Sequence, residues 1–407
     1  MMGESVKKCV EKIVEDYRKE LWDISSFLFH NPETGNQEYQ AAALQCEFLR
    51  RNGFTVEEKA GGLDTAFIGT FSRGEGPCVA IFSEYDSLPG ELGHACGHNL
   101  IAAAAMGAAA AAKKAMEELG IEGTLMLAGA PDEEFTGGKI TLLKKGCFRN
   151  VKAAMAVHPT TAKSRVAGGN HAYLTYSCEY KGKSAHSESR PWEGISAQNA
   201  ALLFFNALGY ARQMIKDGVR IQAYVRDGMQ HEGTISAYAE LGCDISAPTI
   251  FLAEEAAVRV EQCFRCGAVG TGCELVLKKE EGFKNRIPNG VLGEIFRDCC
   301  KTYGEEMMEG MPDDSGGEDL GNVSHVIPAI NPHLTVYPKR KLSLHTLEFK
   351  EHVLTPEGEA MCMLGAKAMA ATALRLMQSP ELLDEAAKEL ESRLLDLYGE
   401  DYQKYRE

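Results

Sequence analysis

Three short, almost wholly apolar runs, residues 78–83, 124–130 and 153–157, each fit a buried strand, and helix-forming segments separate them. That alternation predicts a parallel sheet in an α/β fold, because parallel neighbours need a crossover connection, usually a helix. The connecting helices are expected at 99–119, which is rich in alanine, and at 138–145. Upstream, Val10, Ile13, Val14, Tyr17, Leu21, Ile24 and Leu28 recur at helical spacing, and a second helix over 39–52 closes on Gly53. Strands follow at 55–58 and 66–71. The pattern changes near residue 172. Strands at 173–180, 233–245 and 273–278 alternate with helices at 196–217 and 251–268. We therefore expect a mixed, largely parallel sheet flanked by helices, built from 1–171 and 281–407, with an inserted α+β domain at 172–280. A late helix is predicted to start with Thr355 as N-cap and Pro356 in its first turn.

Composition narrows the function. The 407 residues carry 58 acidic and 43 basic side chains, a net charge of −15. The longest basic run, PKRKL at 338–342, is too short for a nucleic-acid footprint, so no nucleic-acid partner is expected. The longest apolar run, 100–112, falls short of the ~18 residues a membrane span needs, and the first twenty residues lack the apolar core of a signal peptide. No membrane association is expected. Thirteen cysteines, an odd number without paired spacing, suit a reducing, cytoplasmic setting. Cys263 and Cys266 have a metal-like spacing but sit in a helix-like stretch without a second ligand pair, so they read as buried thiols.

The chemistry gathers at three strand ends. After 78–83 come Glu84, Asp86, His94, Cys96 and His98; after 124–130 come Asp132, Glu133 and Glu134; after 153–157 comes His158. Sites in open α/β sheets form at the carboxyl ends of the strands, so these residues should converge. Thiolate, imidazole and carboxylate together suit a divalent transition metal. Adjacent side chains in extended backbone point apart, so one of Glu133 and Glu134 can bind metal while the other faces a water, as metal-assisted hydrolysis requires.

The stretch EYDSLPGELGHACGHNL at 84–100 resembles the hallmark of the co-catalytic metallopeptidases of clan MH. More narrowly, it resembles their amidohydrolase subfamily, which includes auxin-conjugate hydrolases, p-aminobenzoyl-glutamate hydrolase and cytosolic β-alanyl dipeptidase-like proteins. HNPE at 30–33, PDEE at 131–134, VHP at 157–159, KSAH at 183–186 and GEDLGNVS at 317–324 extend the likeness over about residues 20–377. The resemblance implies two divalent metal ions, zinc or manganese first and cobalt or nickel as alternatives. Their ligands would be Cys96 as the bridge, with His98, Glu134, His158 and His345. It makes Glu133 the general base and Asp86 the residue that orients a ligand imidazole. The inserted domain would be a lid and dimerisation domain, whose His186 reaches an active site, that of the partner subunit, and helps hold the oxyanion. The expected activity is hydrolysis of an amide or peptide bond in a dipeptide or an N-acyl or N-aroyl amino acid, by a homodimer. Two positions depart from the pattern. In HEGTIS at 231–236, Gly233 stands where relatives carry a substrate-binding asparagine, and Ser246 stands where they carry an arginine. A lost guanidinium removes a carboxylate clamp. Deamination of an amino-aromatic compound, or a non-catalytic role in a heteromer, are therefore the rival expectations.

Overall fold

A computed structural model describes residues 3–229, 232–280 and 282–406. The elements in chain order are α1 (Glu4–His30), α2 (Tyr39–Arg51), β1 (Thr55–Glu58), β2 (Phe67–Arg73), β3 (Cys78–Ser83), α3 (His98–Leu119), β4 (Gly123–Gly129), α4 (Gly138–Lys144), β5 (Val151–Met155), β6 (His158–Thr161) and β7 (Arg165–Val166). Then come β8 (Ala172–Lys181), α5 (Ala197–Ala211), β9 (Arg220–Gly228), β10 (Tyr238–Ala247), α6 (Ile250–Thr271) and β11 (Glu274–Lys279). The chain ends with α7 (Gly290–Thr302), α8 (Leu320–Ser324), β12 (Ala329–Ile330), β13 (Pro332–Tyr337), α9 (Leu347–Lys350), α10 (Pro356–Gln378) and α11 (Pro380–Tyr398). It forms two compact units. The larger holds residues 1–169, 286–314 and 318–407, and the smaller holds 170–285 and 315–317.

The larger unit is built on a six-stranded sheet ordered β1-β2-β4-β3-β5-β12. Strands β4, β3, β5 and β12 run parallel, while β2 is antiparallel to β4 and β1 to β2. This is the mixed, largely parallel sheet that the strand–helix alternation predicts. Strand β3 is buried along its whole length, as its unbroken apolar run requires. Helix α3 packs between α1 and α10. Its alanines permit the close approach. A methyl group at Gly107 would come within 2.7 Å of Leu21 and 2.9 Å of the Ala366 methyl, so only the smallest side chains fit between the helices. Asn99 at the start of α3 donates to the Ser25 hydroxyl of α1 at 2.9 Å, which fixes that end of the helix. Helix α10 is long and apolar enough to cross a membrane, but its apolar residues are buried in this core. Thr355 caps α10 by accepting the Gly358 N–H.

The smaller unit is a four-stranded antiparallel sheet, β11-β8-β10-β9, with α5 and α6 packed on it. Phe204 of α5 stacks on Phe264 of α6 with ring centroids 4.0 Å apart. Strand β9 is absent from the sequence expectation. It lies at a sheet edge and is mostly exposed, so it lacks the apolar alternation that marks a half-buried strand. Cys263 is buried as expected, whereas Cys266 is exposed, on the outer face of α6.

Candidate metal centre

Strands β4, β3 and β5 are parallel neighbours, so their carboxyl ends share one edge of the sheet. Glu84 and Asp86 follow β3, Glu133 and Glu134 follow β4, and His158 opens β6 just beyond β5. The loop from β3 delivers Cys96 and then His98, the first residue of α3. Gly97 between them has φ +82°, a left-handed turn that glycine adopts without strain. His345 arrives from the other end of the chain, where its backbone N–H donates to the Ala95 carbonyl at 3.1 Å.

Donor atoms of these residues meet in three groups, each within 4.8 Å: Cys96, His98 and His158; Cys96, Glu134 and His345; and Glu84, His98 and Glu133. Second partners fix the orientation of each ring. His98 Nδ1 is 2.8 Å from Asp86 Oδ1, and Asp86 Oδ2 accepts the Glu134 N–H at 3.1 Å. His158 Nδ1 is bonded to the Pro159 carbonyl at 2.8 Å, and its Nε2 faces the Cys96 sulfur at 3.4 Å. His345 Nε2 is 3.4 Å from Glu134 Oε2. His98 Nε2 and Glu134 Oε1 are buried without any hydrogen-bond partner. Buried polar atoms left open in this way are costly. A cation at this point would satisfy both, and the N, O and S donor set fits a divalent transition metal.

The electrostatics follow from burial and crowding. Burial, with Glu84, Glu134 and Asp319 close by, holds Glu133 well above the usual carboxylate range. Burial also pushes the Cys96 thiol up, reinforced by Glu134. Burial works against protonation of His98, but Cys96 and Asp86 outweigh it and raise its pKa. Burial works upward on Glu134 too, yet the His345 hydrogen bond and the charge of His98 bring it below the ordinary value.

Some residues fall outside the gathering. His186 belongs to the smaller unit, where it is exposed and its Nδ1 accepts the Glu188 and Ser189 N–H groups at 3.2 and 3.3 Å. His94 is buried but joins none of the three donor groups, and burial depresses its pKa to about 3. Gly233 has φ +68° and open space around it, and Ser246 Oγ lies 3.1 Å from His171 Nδ1. His231 lies outside the described residues. Sequence reasoning missed Lys139, whose fully buried ammonium bonds Glu84 and Asp319. It also passed over Glu38, whose carboxylate accepts the Asp132 N–H at 2.9 Å and so braces the loop that carries Glu133. A lysine on a helix reads as a solvated face, and nothing local signals otherwise.

An α/β sheet with thiol, imidazole and carboxylate donors gathered at its parallel strand ends has the makings of a metal-dependent enzyme. Comparison with known proteins gives the particular kind. Residues 80–338 match the model of Peptidase family M20/M25/M40, and the chain belongs to that family. It is 31% identical to the Xaa-Arg dipeptidase of Mus musculus over 96% of this chain and 93% of that protein. It is 28% identical to one of the subunits of p-aminobenzoyl-glutamate hydrolase from Escherichia coli (strain K12), over 74% of this chain and 66% of the relative. Among solved structures, an aminobenzoyl-glutamate utilization protein from Klebsiella pneumoniae shares the fold with a TM-score of 0.72 at 15% identity, covering 90% of this chain and 98% of that one. A dinuclear metal-binding peptidase of the M20 family from Bacillus subtilis does so at 0.66 and 18%, covering 89% and 99%. The protein is thus a metal-dependent hydrolase of amide or peptide bonds in small substrates.

Proposed function

We propose that the substrate is a dipeptide or an N-acyl or N-aroyl amino acid, and that two divalent ions serve the reaction, zinc or manganese before cobalt or nickel. The observation that carries this reading is the meeting of Cys96, His98, Glu134, His158 and His345 in two donor groups that share Cys96, with Glu133 beside them. A cysteine donor favours zinc, and the imidazoles and carboxylate also accept manganese. Such ions, when bound, supply the Lewis acidity that polarises an amide carbonyl and activates water. Glu133 takes the proton of the attacking water and returns it to the leaving nitrogen, and its raised proton affinity suits both transfers. Asp86 holds His98 Nδ1 and so turns Nε2 toward the other donors, where an ion would take the place of its proton.

His186 is the proposed oxyanion donor, contributed by the partner subunit of a homodimer formed through the smaller unit. Exposed Leu202 and Tyr210 on α5 and the edge strand β9 support that interface. A cytosolic setting is supported by thirteen cysteines that are all free. Ser246 and Gly233 support a second reading: with no guanidinium at 246, a substrate without the usual carboxylate, such as an amino-aromatic compound that loses ammonia, is accommodated.

The test is turnover by the purified chain, loaded in turn with each metal, on one panel of dipeptides, N-acyl and N-aroyl amino acids, and amino-aromatics. Cleavage of a carboxylate-bearing amide supports the first reading, and ammonia release with the amides untouched supports the second. Glu133→Gln should lower kcat by ~10²–10⁴-fold with metal content unchanged. Full activity in that variant would refute the assignment of the base.

A further inference from the structure

One buried lysine serves several carboxylates beside the metal centre. Lys139 lies 2.8 Å from Glu84 Oε1 and 2.5 Å from Asp319 Oδ1. Its own backbone N–H donates to the other Asp319 oxygen at 2.9 Å. Asp319 is therefore bonded to Lys139 twice and matches its single charge. Glu84 is the surplus anion. It is 3% exposed, and its second oxygen turns away from the lysine to within 3.8 Å of His98 Nε2. That nitrogen is buried and has no hydrogen-bond partner, while the ring's other nitrogen is engaged with Asp86. A buried imidazole nitrogen without a partner is costly, and here it faces a carboxylate oxygen that is itself buried. A cation between them satisfies both. Glu133 adds a third donor to the same group.

Charge points the same way. A metal-bound cysteine is a thiolate, so the five proposed ligands bring two negative charges, from Cys96 and Glu134, to two divalent ions. Further negative charge must come from the buried carboxylates around them, Asp86 behind His98 and Glu84 in front of it, with Lys139 matched by Asp319 through two contacts. We infer that Glu84 is a metal-facing carboxylate of this centre and that Lys139 is a positioning residue, which turns Glu84 toward His98. The inference rests on the metal-centre reading above and adds two residues to it.

The experiment titrates the metal-stripped wild type, Glu84→Gln and Lys139→Met with zinc and with manganese against a chromophoric chelator, and follows thermal unfolding of each stripped protein in parallel. Glutamine keeps the shape of Glu84 and removes its charge. We expect Glu84→Gln and Lys139→Met each to weaken ion binding by ~10–100-fold. The double variant should lose no more than the weaker-binding single variant, because both act through one carboxylate. A merely structural lysine would lower the unfolding temperature and leave the affinity of the folded protein unchanged. Affinity within twofold of wild type in Glu84→Gln overturns the inference, as does a Lys139→Met protein that loses only thermal stability. If Lys139→Met does not fold, Glu84→Gln decides alone. A wild-type chain that takes up no ion overturns the metal-centre reading itself, a result distinct from loss of the Glu84 contribution.

Discussion

Replacing Asp86 by asparagine removes one charge and one acceptor at a point where the structure uses both oxygens. Oδ1 holds His98 Nδ1 at 2.8 Å and Oδ2 accepts the Glu134 N–H at 3.1 Å, in a side chain with no exposed surface. Asparagine has a single acceptor oxygen. If that oxygen faces the imidazole, the new NH₂ meets the Glu134 N–H, donor against donor. If it faces Glu134, the NH₂ meets His98 Nδ1, which then becomes an acceptor and moves the ring proton to Nε2, closing that nitrogen to a metal. The first arrangement leaves a buried donor unsatisfied, at about 1–3 kcal/mol, and the second requires the Nε2 proton to be displaced before an ion can bind. At 1.4 kcal/mol per tenfold, the first cost is a loss of roughly 5–150-fold in ion affinity, in line with the ~10–100-fold typical when a ligand's supporting partner is removed. Chelator competition on the stripped Asp86→Asn protein reads the affinity directly. Binding as tight as wild type would refute the role assigned to Asp86 and the ring orientation inferred from it.

Three further outcomes follow from the same geometry. Burial raises the Glu38 carboxyl from 4.5 to about 7, against the hydrogen bonds it accepts from Thr65 and Asp132. Its folded-state value is raised, so this contribution is full below about pH 4.5 and is lost as the pH rises through about 7, a change of roughly 3 kcal/mol. In Glu38→Gln the amide oxygen can accept the Asp132 N–H while the NH₂ donates to the Thr65 hydroxyl. Urea unfolding at pH 5 and pH 8 should therefore show a smaller pH-dependent loss than wild type, and an equal decline in both proteins would refute the assignment. Gly97→Ala forces a side chain into φ +82° and brings its methyl to 2.6 Å from Pro159 Cγ. A stability loss of at least ~1 kcal/mol is expected in urea unfolding, with weaker metal uptake, and a variant as stable as wild type would contradict it. Stripping the metals should lower stability by about 2.7 kcal/mol relative to ion at 100 times its Kd, and melting temperatures that do not respond to added ion would count against bound metal.

The sequence made the sheet legible where burial is complete. Strands β3, β4 and β5 lie in the middle of the sheet, so their residues are apolar on both faces and stand out as runs. Their carboxyl ends then pointed to Glu84, Asp86, Glu133, Glu134 and His158 without any knowledge of the fold. His345 was legible only through family resemblance, because it reaches Glu134 from a separate part of the chain. Strand β9 was illegible because its partner β10 covers one edge of it while solvent takes most of its side chains. Lys139 was illegible for a different reason. Its burial is created by Asp319, 180 residues away in the chain, and by Glu84 at another strand end. Local pattern carries no trace of a charge that is neutralised only after folding.

Helix α3 has a consequence for how the protein is made. One of its walls, α1, is synthesised before it, but the other, α10, ends only at Gln378, after the whole smaller unit has been translated. At about 5–20 residues per second, α3 waits on the order of 10–50 s for its second wall. During that interval its alanine-rich flank and the neighbouring face of α1 are uncovered. Nascent chains halted before α10 should therefore expose apolar surface and recruit holding chaperones, and completion of the larger unit should coincide with emergence of the C-terminal helices from the ribosome.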